Sequence, residues 1–573
     1  MLEDTIAVAR GEAPADLLLR GGRVVNTLAG EVIAADVAVY DGRVVGLARP
    51  GENYQARQVV DLDGSYVCPG FMDAHVHLES SMVHPAEFAR AVVPQGTTAV
   101  VADPHEIANV FGLYGIRYIM ESSAGLPLDV YIMAPSCVPA TDLETAGAVL
   151  SASDLALLLH DDRVLGIAEM MNYPGVLFRD PLVMEKIVVA GNRPIDGHAP
   201  LLSGQDLNAY VVAGIGSDHE CTTVAEAQEK LGLGMRIFIR EGTTARDLEP
   251  LLPLVTPLNA RRCAFCTDDR HPADLLNEGH IDSIIRQAIR LGCPPITAIQ
   301  MATLNPAEYF GLHHHGAVAP DFVADLVVFD DLQAPVARQV YKAGRLVAEN
   351  GVLLPTAIAA ARRIPIRSSM NVDWLGLDFR IPAQGERIKV IGVIPDQIVT
   401  QKLVLPARIQ DGLAVADVDH DILKMAVVER HMASGNVGLG FVQGVGLKRG
   451  AMASSVAHDS HNIVIIGAND RDMMTACIEV VRMRGGQAVV ADDEVLARLP
   501  LPIAGLMSEE PLEKVRAGNE ALARAAGDLG CRLRDPMMAM AFLALPVIPA
   551  LKLTDRGLVD VTRFEFVPLF GEE

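Results

Sequence analysis

The sequence predicts an α/β protein: a (β/α)8 TIM barrel, a small β-sandwich domain built from both flanks of that barrel, and an additional C-terminal α/β domain. Three observations point there. Short apolar runs recur eight times between residues 71 and 268, with starts about 20 to 35 residues apart, the size of a βα unit. Polar and titratable residues gather at the carboxyl ends of those runs. Alternating, hairpin-like segments precede the first run and follow the last.

The first flank, residues 1–66, carries short alternating runs at Asp16–Leu19, Arg23–Val25, Val32–Tyr40, Val44–Ala48 and Gln58–Leu62. Gly21-Gly22 and Asp41-Gly42 supply the positive backbone angles of tight hairpins. The pattern returns in residues 316–363, at Asp325–Asp330 and Gln339–Val347, with Lys342-Ala343-Gly344-Arg345 as a turn. The two segments read as halves of one β-structure.

Between them, residues 67–315 hold the eight runs: Phe71–His77, Thr97–Asp103, Asp129–Ala134, Val164–Met170, Pro194–His198, Gly214–His219, Met235–Glu241 and Cys263–Asp268. A strand buried on both faces is continuously apolar and turns polar only at its exit, and the exits of such a barrel carry the chemistry. Ser203–Asp206 and Thr223–Glu226 have capping spacing ahead of helical stretches, with Gly214 and Gly232 as stops. Residues 364–573 mix strand-like runs (Lys389–Ile394, Leu413–Val418, Ile463–Gly467, Ala488–Ala491) with helical ones (Arg471–Met483, Leu512–Ala526), the last entered through Ser508-Glu509-Glu510-Pro511.

Composition narrows the partners. The 573 residues carry 48 Lys plus Arg against 72 Asp plus Glu, a net charge of -24, which argues against a nucleic-acid backbone or an anionic membrane as partner. Eight scattered cysteines do not make a disulfide framework and suit a reducing compartment. The amino terminus lacks a secretory pattern, and the longest apolar run, Pro536–Leu551, is shorter than the roughly 20 residues a membrane span needs and contains prolines. A globular, cytoplasmic protein is expected.

Asp73-Ala74-His75-Val76-His77 is the sharpest motif, because histidines at i and i+2 on a strand point to the same side. Later strand ends add Glu169, His198, His219 and Asp268. Four imidazoles and two carboxylates exceed what one zinc ion takes from protein, so two divalent ions sharing a hydroxide fit better, with Glu169 bridging. Ligand type alone does not choose among manganese, iron and zinc. Asp268 both touches metal and accepts a proton; the plainer reading is a helix N-cap. Glu79 and Glu106 overhang the site. Loss of an aromatic amine needs a carboxylic acid beside the ring nitrogen, and Glu106 is favoured for it, against a solvated loop glutamate or a partner of Arg90. Glu79, Ser80 and Asp269 are the substrate-facing candidates, Asp269 also reading as a cap or a support for its neighbours.

Other features read as structure. Cys263 and Cys266 lie in an apolar strand and suggest core thiols. His313-His314-His315 suggests a solvated loop, and Gly435–Gly450 misses the nucleotide-binding spacings. Ala457-His458-Asp459-Ser460-His461-Asn462 reads first as a core loop or domain contact and second as part of an active-site mouth. Met537, Met538 and Met540 read as core fillers.

With PGFMDAHVHLESSM, VADPHEIANV, CTDDRHP and GLKRGAMASSVAHDSHN in place, the chain resembles the amidohydrolase superfamily and, within it, the bacterial adenine deaminase family. The resemblance covers nearly the whole length. It implies hydrolysis of adenine to hypoxanthine and ammonia by hydroxide attack at C6, with two divalent ions, usually Mn2+ or Fe2+, Zn2+ being an option. It matches His75 and His77 to the strand-one ligands, Glu169 to the bridge, His198 and His219 to the ligands of strands five and six, and Asp268 to the strand-eight aspartate. Glu169 stands where dihydroorotases and hydantoinases carry a carboxylated lysine. Leu201 stands where adenosine and cytosine deaminases carry the ring-protonating glutamate. No Pro-Cys-x-x-Cys follows a His-x-Glu, unlike the zinc deaminases of nucleic acids. Free adenine and water are the implied substrates, in a homo-oligomer, with a dimer favoured. The other readings are an amidohydrolase for another modified purine or cyclic amidine or amide, and a catalytically silent barrel.

Overall fold

The protein is described by a computed structural model covering residues 2–49, 52–358, 364–395 and 397–572. The boundary expected at 363/364 falls partly outside the described residues.

The two flanks join in one sheet. Its nine strands run in the order 352–353, 345–349, 339–342, 326–329, 66–69, 15–26, 31–40 and 43–48, with 56–61 pairing on strand 15–26. Strands 66–69 and 326–329 pair antiparallel, Val67 opposite Val328, and weld the two ends of the chain. The halves share one continuous sheet, which curls so that Val44 N–H donates to Phe322 O and Ala324 N–H to Gly42 O, both at 2.9 Å, and Leu17, Val39, Leu326 and Tyr341 join one core. Asp41 and Gly42, with φ of 47° and 75°, make the turn the sequence predicts. Gly21-Gly22 does not. Residues 15–26 form one strand whose register against its neighbour shifts between Leu19 and Gly22, so Gly21, at φ 70°, serves a bulge.

The central region delivers its eight parallel strands where the apolar runs lie: Phe71–Val76, Thr97–Ala102, Asp129–Ala134, Val164–Met170, Ile195–Gly197, Ser217–Asp218, Arg236–Arg240 and Cys263–Cys266. They form a curled sheet in two arcs, the first five in order and the last three in order. The single closed sheet expected from sequence is interrupted because strands five and six are only three and two residues long. Backbone bonds cross both seams: Gly216 N–H donates to Ile195 O at 2.9 Å, Asp268 N–H to His75 O at 2.9 Å, and His77 N–H to Asp268 O at 3.1 Å. The strand-one to strand-eight seam thus fixes His75, His77 and Asp268 side by side. Thr223 caps its helix through Glu226 N–H, whereas the Ser203 side chain makes no such bond.

The C-terminal region holds an eight-stranded sheet in the order 400–406, 387–393, 437–443, 422–428, 463–467, 451–454, 486–491 and 494–500. Helices Asp470–Arg482 and Leu512–Asp528 pack on it. It docks on the strand exits: Ser508 N–H donates to Met82 O and His84 N–H to Ser508 O, and Asn462 donates to Thr145 O. All eight cysteines are free thiols, Cys263 and Cys266 buried in the core. Among the described residues no helix is long and apolar enough to cross a membrane.

Candidate active site and metal centre

Glu169, near the end of strand four, organises the donor set. Its Oε1 lies 3.3 Å from His77 Nε2 and 3.8 Å from His75 Nε2. Its Oε2 lies 2.6 Å from His198 Nδ1 and 3.2 Å from His219 Nε2. One carboxylate thus faces two histidine pairs, one with each oxygen. Asp268 Oδ1 approaches His77 Nε2 at 3.1 Å and His75 Nε2 at 3.8 Å. All six donors singled out in the sequence converge, five of them buried and His198 with a quarter of its side chain exposed.

The chemistry of this cluster fits divalent cations. His77 Nδ1 lies 2.9 Å from the Asp103 carbonyl, which can only accept, so Nδ1 carries the proton and Nε2 turns a lone pair inward, the arrangement of metal-binding imidazoles. That lone pair faces His75 Nε2 at 3.2 Å and two carboxylate oxygens, which repel it unless a positive charge lies between. Without a cation the neighbouring carboxylates favour protons on His77, His198 and His219, whereas burial beside His219 and His77 holds His75 well below its ordinary value. Burial opposes charge on His77, but Asp268 and Glu169 outweigh it and raise the ring well above its ordinary value. Burial is likewise outweighed on His198 by Glu220 and Glu169, which push it up to about 9. Donor atoms of His77, Asp103, His105 and Glu169, of His75, His77 and Asp268, and of His75, Glu169 and His219 each lie within 4.8 Å of one another. Such overlapping groups are consistent with a binuclear centre.

Asp268 is no helix cap, since the next helix starts at Pro272 with His271 as its N-cap. Its Oδ2 accepts from Arg240 at 2.7 Å. Burial opposes its ionisation, but the Arg240 guanidinium holds the carboxyl well below the usual range. Arg240 also contacts Glu220, which lies 3.7 Å from His198 and 3.6 Å from His219. His105 sits 3.1 Å from Asp103 and 3.5 Å from Glu169. None of Arg240, Glu220 and His105 is given a role by the sequence reading. Arg240 and His105 stand at strand exits with the others, and position was the signal available.

Beside this cluster a cavity of about 190 Å³ opens between the strand exits and the C-terminal region, lined by Glu79, Ser80 and Glu106 on one side and His458, His461 and Met537 on the other. Glu79 Oε1 accepts from Ile107 N–H at 3.0 Å, while Oε2 is buried and unpartnered; burial pushes this carboxyl up to about 7. Glu106 is engaged by His458 Nδ1 at 2.7 Å, by His461 Nε2 in direct contact, and by His105 Nε2 at 3.5 Å. Burial works to raise it, but His458 and His461 hold it well below the usual carboxylate range. Neither glutamate is a solvated loop residue or a partner of Arg90, which pairs with Glu87 and Glu513. The Ser80 hydroxyl donates to Asp269. Leu201 points away, 79% exposed. The segment 457–462 is buried and makes the domain contact the sequence suggests, Asn462 donating to Thr145 O, while its His458 and His461 line the cavity together with Met537 and Met538.

Comparison with known proteins agrees with this geometry. Residues 66–350 match the amidohydrolase family, and residues 397–565 match the adenine deaminase C-terminal domain. The chain is 52% identical over 573 residues to a protein of Desulfatibacillum aliphaticivorans called adenine deaminase, covering 100% of both. It is 50% identical to one from Carboxydothermus hydrogenoformans called adenine deaminase 2, covering 99% of both. An adenine deaminase of Methanothrix thermoacetophila is 50% identical, with 100% of both chains covered.

Proposed function

The chain belongs to the amidohydrolase family, in its adenine deaminase branch, and from that premise we propose that it hydrolyses adenine to hypoxanthine and ammonia. The observation that carries the reading is the six-donor cluster centred on Glu169, joined through His105, 3.5 Å from both Glu169 and Glu106, to a small cavity lined by Glu79 and Glu106 and roofed by the domain shared with adenine deaminases. His75, His77, Glu169, His198, His219 and Asp268 would hold two divalent ions, manganese or iron, with zinc as a further option. When bound, such ions supply Lewis acidity and bring the pKa of water towards neutrality.

The chain's own residues do the rest. Asp268, kept ionised and oriented by Arg240, accepts the proton of the attacking water. Glu79, with a free oxygen and a carboxyl titrating near neutrality, is the donor that protonates the ring nitrogen as the new C6–O bond forms; the proton held by Asp268 then passes to the amino group, which leaves as ammonia, while the C6 hydroxyl proton returns to Glu79. Glu106, which the sequence favours for that role, is engaged by imidazole N–H groups and is better suited to accept hydrogen bonds.

The same reading takes the two arcs of strands as one functional (β/α)8 barrel over 67–315, with 1–66 and 316–363 as the flanking β-domain and 364–573 as the C-terminal domain, in a cytoplasmic enzyme. A dimer is supported by Leu157, Phe178, Leu182 and Val188, large apolar side chains exposed on neighbouring helices.

Manganese-loaded protein should convert adenine to hypoxanthine faster than it acts on dihydroorotate or on 6-substituted purines. Asp268→Asn should lower turnover by about 10²- to 10⁴-fold with the fold intact, and Glu79→Gln by a similar factor at kcat. Absence of adenine turnover by the metal-loaded wild type would refute the proposal.

A further inference from the structure

The histidines that reach Glu106 come from the far end of the chain, 352 residues after it in the case of His458. At first sight they extend the metal cluster, because His105, Glu106 and Asp459 also gather donor atoms within 4.8 Å. The protons say otherwise. His461 Nδ1 accepts from Ala457 N–H at 3.1 Å, so that nitrogen bears the lone pair and the neutral ring carries its proton on Nε2, the atom in contact with Glu106 Oε2. His77 has the opposite tautomer. His458 turns Nδ1 to Glu106 Oε1 at 2.7 Å, its ring stacked on Phe542 with centroids 4.7 Å apart and planes within 17°.

We infer that His458 and His461 are positioning residues for the reaction, whose ring N–H groups fix the Glu106 carboxylate as a hydrogen-bond acceptor for an N–H of the purine; this rests on the deaminase reading above. A carboxylate has about four lone-pair positions. Three imidazoles face it, those of His458 and His461 closely and that of His105 at 3.5 Å, and Glu106 also lines the cavity, where the position left meets substrate. An ionised acceptor selects a ring or amino N–H and cannot pair with a bare ring nitrogen. Because Glu106, His458 and His461 are all at least nine-tenths buried, removing one imidazole leaves a buried charge short of a donor.

The segment bearing the pair is itself held. Arg430, fully buried, donates to Ala504 O at 3.0 Å and Ser369 Oγ at 2.5 Å and contacts His461 O. The C-terminal domain therefore supplies working parts of the site as well as a roof.

The test uses full-length, manganese-loaded enzyme. His458→Ala and His461→Ala should each lower kcat/KM for adenine by about ten- to hundredfold, the loss expected for a hydrogen bond to a charged group, mainly through KM. His461→Gln, whose amide N–H reaches where Nε2 does, and His458→Asn, which imitates Nδ1, should recover most of that loss. Metal content should equal that of the wild type in all four variants. Gln and Asn variants as impaired as the folded alanine variants would overturn the inference, as would loss of an ion per chain, which would make the pair ligands. If the wild type itself leaves adenine unchanged, it is the deaminase reading that falls, and metal content still decides whether the pair binds an ion.

Discussion

Two histidine clusters lie on either side of His105 and differ in whether the ring nitrogen facing inward is bare or carries a proton. At the strand exits, His77 gives its proton to a backbone carbonyl and aims a lone pair at neighbouring donors. In the C-terminal domain, His461 Nδ1 accepts a hydrogen bond from Ala457 N–H and the ring aims its own N–H at a carboxylate. The first arrangement calls for a cation, and the second satisfies an anion. Imidazole serves both ends because its two nitrogens are never equivalent, and the backbone atom behind each ring decides its use.

The largest effect that would sharpen this contrast is on metal content. His77→Ala or His219→Ala should lose at least one ion per chain and more than 10³-fold in turnover, whereas His461→Ala keeps its metal; equal metal loss in both clusters, measured by elemental analysis, would erase the distinction.

A smaller effect is structural. Arg430→Met should cost about 2–4 kcal/mol in denaturant unfolding, because several buried carbonyls lose their donor. Adenine KM should rise in parallel, since the loop of His461 loses its anchor. Unchanged KM would detach Arg430 from the positioning of His461.

The smallest concerns Lys552, buried with its Nζ donating to Phe542 O and Ile398 O at 2.8 Å each. Burial pushes it down to about 7 from 10.5. Between those values the unfolded chain holds a proton that the folded protein lacks. Stability from this group therefore rises from pH 7 to pH 10.5 and is lost as pH falls back to about 7. The slope approaches about 1.4 kcal/mol per pH unit. Lys552→Met should remove that slope in thermal melts compared at pH 7 and pH 9; a wild-type slope retained in the variant would mean the amine is charged throughout.

What could be read from sequence follows the range of the forces involved. The parallel strands were legible because burial on both faces imposes apolar runs, and their exits gave the six donors. Gly21-Gly22 misled because a bulge and a hairpin ask for the same positive φ, and only the partner strand distinguishes them. The strands at 437–443 and 451–454 are not legible because their Gly- and Ala-rich stretches carry little periodicity, and 422–428, apolar except for Lys424, has no alternation to mark it. Glu79 and Glu106 were recognised as a pair, yet their division of labour depends on His458 and His461, which no local pattern ties to residue 106. The histidines themselves were visible, and what they face was not.

The distance along the chain between Glu106 and His458 also sets an order of events. At about 5–20 residues per second, the ribosome finishes the strands bearing Glu169 and Asp268 roughly 10–40 s before it makes the segment that steadies Glu106. A nascent chain in that interval has all six donors of the cluster but not His458 and His461, so on the proposed reading the cluster can assemble before the histidines that position Glu106 exist.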